Sequence, residues 1–287
     1  NRAIIVAQRG SLKGFSWPKL NADLTNLHVS TVLDPDIQSA EKLSTQYLSY
    51  LNAWEGFLER TKEIENLPSF PIWAMEFGAD YPLTGTPPSK LTQTDLSEYN
   101  GAFGIPLRGL RKIDQIKNLP PYVAKAIEKL PSWKVRFIEQ NRAFYSEHHS
   151  ILSDWLPTIQ SFPPSFQKFE WNWKDGKRTI WDKVVQFRAS GIRVKNPVTS
   201  PSLVALTTSQ VPVIAWQSRY MTVRECARLQ SLDVLPQLPN SKTQAFKALG
   251  NAVNATVIRL VAEKLLKLAE TAPSRDESGQ YIRQFAN

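Results

Sequence analysis

Arg219-Tyr220-Met221-Thr222-Val223-Arg224-Glu225-Cys226-Ala227-Arg228-Leu229-Gln230 is the stretch on which the reading of this chain turns. It is helical in composition and holds the single cysteine of the 287 residues. Arg224 and Arg228 would lower the thiol pKa if they faced it. A free cysteine inside a helix is more often a small buried hydrophobe. One cysteine excludes an internal disulfide and a cysteine-based zinc site, and His28, His148 and His149 leave little for a histidine metal site. A lone thiol suits a reducing, cytoplasmic compartment.

Downstream comes Gln244-Ala245-Phe246-Lys247-Ala248-Leu249-Gly250-Asn251-Ala252-Val253, and then an apolar face of Val257, Leu260, Val261 and Leu268 that predicts a helix from about 254 to 268. Gly250 permits a tight turn, and Asn251 reads either as a capping residue or as a place where exposed backbone meets a polar ligand. Upstream, Arg2–Ala7 reads as a buried strand. Leu43, Tyr47, Leu51, Trp54 and Leu58 recur at spacings of three and four and predict a helix over 39–64. Asp34 and Asp36 precede it and Glu41 sits in its first turn, matching the helix dipole. Further helices are predicted over 121–130 and 132–156, and strands over 179–187 and 203–214. Residues 68–88 read as irregular and the tail after Pro273 as frayed. Gly101, Gly104 and Gly109 bracket Arg108, Arg111 and Lys112, a basic loop fit either for phosphate contact or for plain solvation.

Lys and Arg number 35 against 26 Asp and Glu, a formal charge of +9. That balance favours a polyanionic partner, although a merely basic protein would carry it too. Residues 151–200 hold eight basic and four acidic groups, with Trp155, Trp171, Trp173 and Trp181 among them. Such rings serve more often as core than as platforms for bases. No apolar run approaches the ~18 residues of a membrane span. Neither a P-loop nor a Gly-x-Gly-x-x-Gly turn is present.

The 219–230 stretch closely resembles the penultimate block of the DNA cytosine-5 methyltransferases, and 244–253, with its Gly-Asn-Ala-Val core, resembles their final block. Arg2-Ala-Ile-Ile-Val-Ala7 is similar to the end of the family's Gln-x-Arg-x-Arg block and the strand after it. The segments Trp73–Gly78 and Phe187–Lys195 look like parts of a bacterial subset of these enzymes. The family's Gly-rich cofactor block, its Pro-Cys-Gln nucleophile loop and its Glu-Asn-Val block have no counterpart here. The resemblance therefore implies the C-terminal half of such an enzyme.

It implies chemistry as well. The family flips a cytosine out of duplex DNA, adds a thiolate to ring carbon 6, and passes the methyl group of S-adenosyl-L-methionine to carbon 5. On this reading Arg2 supports catalysis, Asn251, Ala252 and Val253 touch the cofactor, and Arg108, Arg111, Lys112, Arg219 and Thr222 contact DNA. Architecture is the stronger claimant for Arg219 and Thr222, and Arg224 and Glu225 are expected to form an internal ion pair. The implied fold is α/β. Residues 1–10 and 215–270 complete part of a doubly wound methyltransferase sheet, 11–214 form a mixed α+β target-recognition domain, and 271–287 are a tail. The implied partners are double-stranded DNA and an N-terminal catalytic half, in the cytoplasm at the nucleoid. A decayed, purely DNA-binding module is the alternative.

Overall fold

The computed structural model describes residues 4–7, 12–19, 28–35, 38, 40–126, 128–171, 173, 176–203 and 210–271. Ten α-helices lie among them: α1 (Thr45–Arg60), α2 (Gln93–Leu96), α3 (Lys112–Lys117), α4 (Pro121–Ala124), α5 (Ser132–Glu147), α6 (His149–Leu152), α7 (Leu156–Gln160), α8 (Val223–Leu229), α9 (Lys242–Asn251) and α10 (Ala255–Thr271). Six short strands, β1 (Ile72–Trp73), β2 (Lys168–Trp171), β3 (Val184–Arg188), β4 (Gly191–Lys195), β5 (Val213–Ile214) and β6 (Arg219–Tyr220), form one sheet in the order β1-β2-β4-β3-β5-β6. Only β2 and β4 run parallel among the described pairings. The architecture is mixed α/β. The doubly wound parallel sheet is not among the described residues, and the β5–β6 hairpin crosses the expected boundary at 214/215 within this one sheet.

The core follows from period-two alternation on the strands and the apolar stripe of α1. Ile72, Phe169, Trp171, Val185, Phe187, Ile192, Val194 and Val213 turn to one face and meet Leu51, Trp54, Phe57 and Leu58 of α1. Trp54 is fully buried, stacks on Phe169 with ring centroids 4.6 Å apart, and donates from Nε1 to the Phe166 carbonyl at 2.9 Å. Truncating such a side chain costs about 3–5 kcal/mol.

Helix α1 is shorter than the periodicity predicts. Ser44 caps it by accepting from the Tyr47 N–H. The residues before it are drawn into a β-bridge: Leu43 N–H donates to Ser218 O and Tyr220 N–H to Glu41 O, both at 2.9 Å. Glu41 pairs with Lys242 at 3.5 Å instead of serving the helix dipole. At the other end Arg178 donates to the carbonyls of Thr61, Ile64 and Glu65, which closes the helix well before Pro68.

Other boundaries shift for similar reasons. The helix expected over 121–130 is one turn, α4, and that over 132–156 breaks at His148 into α5, α6 and the start of α7. His148 and His149 pack edge-on against Phe144 and Tyr145 and hold no metal-binding arrangement. A 3-10 turn at Ile180–Asp182 precedes β3, so that strand starts late. Residues 4–7 form no strand, Arg2 lies outside the described residues, and so do 204–209 of the strand expected over 203–214.

One buried carboxylate was not anticipated. Glu76, fully buried, accepts from the hydroxyls of Tyr81 and Tyr122 and from Arg142 Nε at 3.1 Å. Burial, then the Glu76 charge, pushes both phenols far above their ordinary range. The network ties the 3-10 turn after β1 to α4 and α5.

Candidate functional site

The sequence around α8 builds its own scaffold. Thr222 and Glu225 form a reciprocal capping box: Thr222 Oγ1 accepts from the Glu225 N–H at 3.1 Å, and Glu225 Oε2 accepts from the Thr222 N–H at 2.8 Å. Glu225 also takes both ends of the Arg219 guanidinium, at 2.7 and 2.8 Å, and the Asp34 N–H at 2.8 Å. Burial raises the pKa of this carboxyl, but the hydrogen bonds from Arg219, Asp34 and Thr222 outweigh it and hold the group below the ordinary carboxylate range.

Arg228 extends the network to Asp34 Oδ1 at 2.5 Å and Val32 O at 3.0 Å, while Thr222 Oγ1 donates to Asp34 Oδ2 at 3.1 Å. Asp34, expected to serve the dipole of α1, is instead the anchor of α8. Arg219 is 1% exposed. It makes four hydrogen bonds, to Glu225, Gln217 and the Tyr220 carbonyl, and being buried it has no reach to a phosphate. The ion pair expected between Arg224 and Glu225 is replaced by Arg219–Glu225. Arg224 instead donates to the carbonyls of Asp233 and Leu235. Thr222 borders a groove of about 510 Å³ together with Glu41, Tyr220 and Lys242, but its hydroxyl is already engaged in the cap.

Cys226 lies on the inner side of α8, fully buried among Val184, Met221, Ala227 and Leu249. Burial, and then the Glu225 charge, pushes its thiol far above the ordinary range. Arg224 and Arg228 both point elsewhere, so nothing activates it.

The α9–α10 junction differs from the expected turn. Gly250 and Asn251 are the last residues of α9, Ala252 caps its C-terminus, and the N-cap of α10 is Asn254, whose Oδ1 accepts from Val257 N–H at 3.0 Å. Asn254 Nδ2 reaches the Leu229 carbonyl at 3.1 Å, and Gln230 Nε2 reaches the Leu249 carbonyl at 3.0 Å. These two amides lash α8, α9 and α10 together. Asn251 is exposed, Ala252 is half-buried and Val253 is 46% exposed.

Beside this junction runs a groove of about 530 Å³ lined by Ile4, Leu203, Gln230, Val253, Asn254 and Ile258. The chain's N-terminal segment and the 244–253 block thus share one concavity, which separation in sequence hides. Among the described residues no metal-binding cluster occurs and no carboxylate lines the groove.

The basic loop splits in two. Arg108 is exposed, and Arg111 is exposed and paired with Asp114 at 2.9 Å. Lys112 opens α3, and its ammonium donates inward to the Leu91 carbonyl. Burial lowers its pKa, and the side chain is committed to holding α3 on the 91–93 segment rather than a phosphate.

Similarity to known proteins agrees with this construction. The family described as C-5 cytosine-specific DNA methylase matches residues 90–267, more than half of the chain. Type II methyltransferase M.AluI of Cellulosimicrobium cellulans is 33% identical over 160 residues, covering 54% of this chain and 30% of that protein. Type II methyltransferase M.DsaV of Dactylococcopsis salina is 39% identical over 59 residues, covering 21% of this chain and 17% of that protein. The chain thus spans less than a third of the length of either relative. No solved structure matches. With the 219–230 and 244–253 blocks inside the matched region and joined through Gln230 and Asn254, this chain belongs to the C-5 cytosine-specific DNA methylase family.

Proposed function

We propose that this chain is the DNA-recognising, C-terminal part of a DNA cytosine-5 methyltransferase, acting with a nucleophile-bearing N-terminal half on double-stranded DNA. The observation that carries this reading is the groove in which Ile4 meets Val253 and Asn254. The two ends of the methylase pattern converge there on an open, largely apolar wall, as the completion of another domain requires. The formal charge of +9 suits a duplex partner.

In this reading residues 1–10 and 215–270 complete the catalytic domain, 11–214 carry target recognition and 271–287 form a tail. S-adenosyl-L-methionine, the family's cofactor, supplies an electrophilic methyl group when bound. The fit of this chain to it is that of one wall. Asn251 is exposed and Ala252 half-buried at the rim, Val253 lines the groove with an apolar surface, and no carboxylate lines it among the described residues. Asn251, Ala252 and Val253 would bound the cofactor, with the remaining contacts made by the other half. Arg2 would steady the flipped base or the nucleophile loop. Arg108 and Arg111 would meet phosphates, which fix register without reading sequence. Arg219, Thr222 and Glu225 would act as the strut between recognition region and catalytic region.

A second reading, a DNA-binding module without catalysis, is favoured by one observation: the only thiol of the chain is fully buried. The two separate in one experiment. The chain is mixed with a polypeptide carrying the family's Pro-Cys-Gln and Glu-Asn-Val blocks, labelled cofactor and duplex DNA. Methyl transfer in the mixture and not with either piece alone supports the methyltransferase. Specific binding by the chain without transfer in the mixture supports the binding module.

A further inference from the structure

The core-facing side of the sheet is apolar, and its other side is not. Register places Trp73 opposite Lys168, Gln186 opposite Arg193, Arg188 opposite Gly191 and Val184 opposite both Lys195 and Ile214. In antiparallel pairs, directly opposed residues share a face. Alternation along β2 and β4 then puts Lys168, Glu170, Arg193 and Lys195 on that same outer face. The contacts agree: Glu170 accepts from Arg188 at 2.5 Å and from Arg193 at 2.8 Å. Four basic side chains stand there against one carboxylate.

The two margins of this face are apolar and covered. At β1, Trp73 packs with Met75, Ala102 and Ile138. At the β3–β5 margin, Val184 and Ile214 pack with Val29, Val211 and Met221. Between these shoulders lies a basic trough confined to β2 and β4, because Gln186 of β3 is buried and donates to the Ser202 and Gln210 carbonyls. Across strands ~4.8 Å apart it is wide enough for a phosphate backbone but not for a whole duplex.

The lysines in and beside this trough are crowded together, and the buried Glu76 charge acts on Lys168 without a direct ion pair. Lys168 lies 4.9 Å from the Trp73 ring centroid and 5.1 Å from that of Tyr122, and Lys134 approaches the Tyr122 ring at 5.5 Å. Neither these two nor Lys195 forms an ion pair among the described residues. Burial, and then the neighbouring Lys134 charge, lowers the pKa of Lys168 against the opposing pull of Glu76. Lys134 sits in the first turn of α5, a turn with no acidic residue, where its charge opposes the helix dipole. Like charges kept together at a cost to the free protein fit an anionic occupant.

We propose that this trough, with Lys168, Arg193 and Lys195 as its floor and Lys134 at its edge, grips the sugar-phosphate backbone of the DNA duplex. The assignment rests on the DNA-recognising reading above and adds a contact surface that the basic loop at Arg108–Arg111 does not supply. Glu170 positions Arg188 and Arg193 on the sheet rather than contacting the ligand. Contacts here hold the duplex without reading bases, so they contribute affinity at any sequence.

The test uses the full 287-residue chain and a labelled mixed-sequence duplex, titrated from about 50 to about 200 mM salt. The double variant Lys168→Gln/Lys195→Gln is expected to weaken binding about tenfold at ~0.1 M salt and to make the slope of log K against log[salt] less negative by about 2. Lys168→Arg/Lys195→Arg is expected to restore the slope, which a fold defect would not allow. If the wild-type chain binds with a steep salt dependence and the glutamine variant keeps both affinity and slope, the trough assignment is overturned and DNA recognition itself stands. If the wild-type chain fails to bind duplex at any of these salt concentrations, the DNA-recognising reading falls, and this assignment with it.

Discussion

Arg219 and Glu225 meet six residues apart in a bidentate fork at 2.7 and 2.8 Å, with 1% and 0% of their side chains exposed. The fork joins the last strand of the sheet to the first helix after it. Breaking a buried pair by removing one partner leaves an uncompensated charge, whereas replacing both partners by apolar groups can be neutral. Glu225→Gln and Arg219→Met are each expected to lose about 3–5 kcal/mol of unfolding free energy, measured by urea denaturation, and the Arg219→Met/Glu225→Leu double variant to recover most of it. The pH dependence has a definite sign. The carboxyl of Glu225 is depressed in the folded state, so its contribution is present above the unfolded carboxylate range and is lost as pH falls through the lower folded value. Wild-type stability should therefore decline below about pH 4, more steeply than that of Glu225→Gln. Parallel curves would refute the assignment.

Cys226 provides the second prediction. A thiol fully buried and pushed up in pKa reacts only when the α8 region opens. The native chain should resist an aromatic disulfide reagent at pH 8 on the timescale at which the urea-unfolded chain reacts to completion. Cys226→Ser should leave methyl transfer by an assembled enzyme nearly intact. A loss beyond ~10³-fold would make this cysteine a reacting group after all.

The junction of α9 and α10 yields the third. Asn254 caps α10 and also donates to the Leu229 carbonyl, while the neighbouring Asn251 is exposed. Asn254→Ala is expected to cost about 1–2 kcal/mol and to raise amide exchange along the first turn of α10. Asn251→Ala should leave stability within about 0.5 kcal/mol. A larger effect on stability from Asn251 than from Asn254 would restore Asn251 as the structural cap.

Much of the core was legible in the sequence. Leu51, Trp54 and Leu58 announce the buried stripe of α1 because helical spacing and burial coincide there. The ends of that helix were not legible. Glu41–Leu43 follow the helical period but are claimed by a bridge to Ser218–Tyr220, a partner far away in sequence. Asp34 sits where a dipole partner belongs, yet the guanidinium of Arg228 takes it. Charge alone does not tell a phosphate contact from a strut, and both roles stay open for Arg219 in the sequence; its burial decides for the strut. Glu76 left a usable signal: a lone carboxylate inside the apolar run Ile72–Phe77 demands a partner. The alternation of Lys168 with Glu170, and of Arg193 with Lys195, was equally present. Its meaning depended on which strands lie side by side, and pairing across residues 168–195 is not local information.

The bridge at Lys42 and Arg219 has a further consequence. Residues 43 and 218 leave and re-enter the structure side by side, held by two main-chain hydrogen bonds of 2.9 Å. The segment between them therefore has adjacent ends, although it also supplies β5 to pair with β6 and Val184 to pack near Cys226. A different module grafted at this seam would need termini one strand spacing apart, a strand to replace β5 beside β6, and an acceptor to replace Gln217 beneath Arg219.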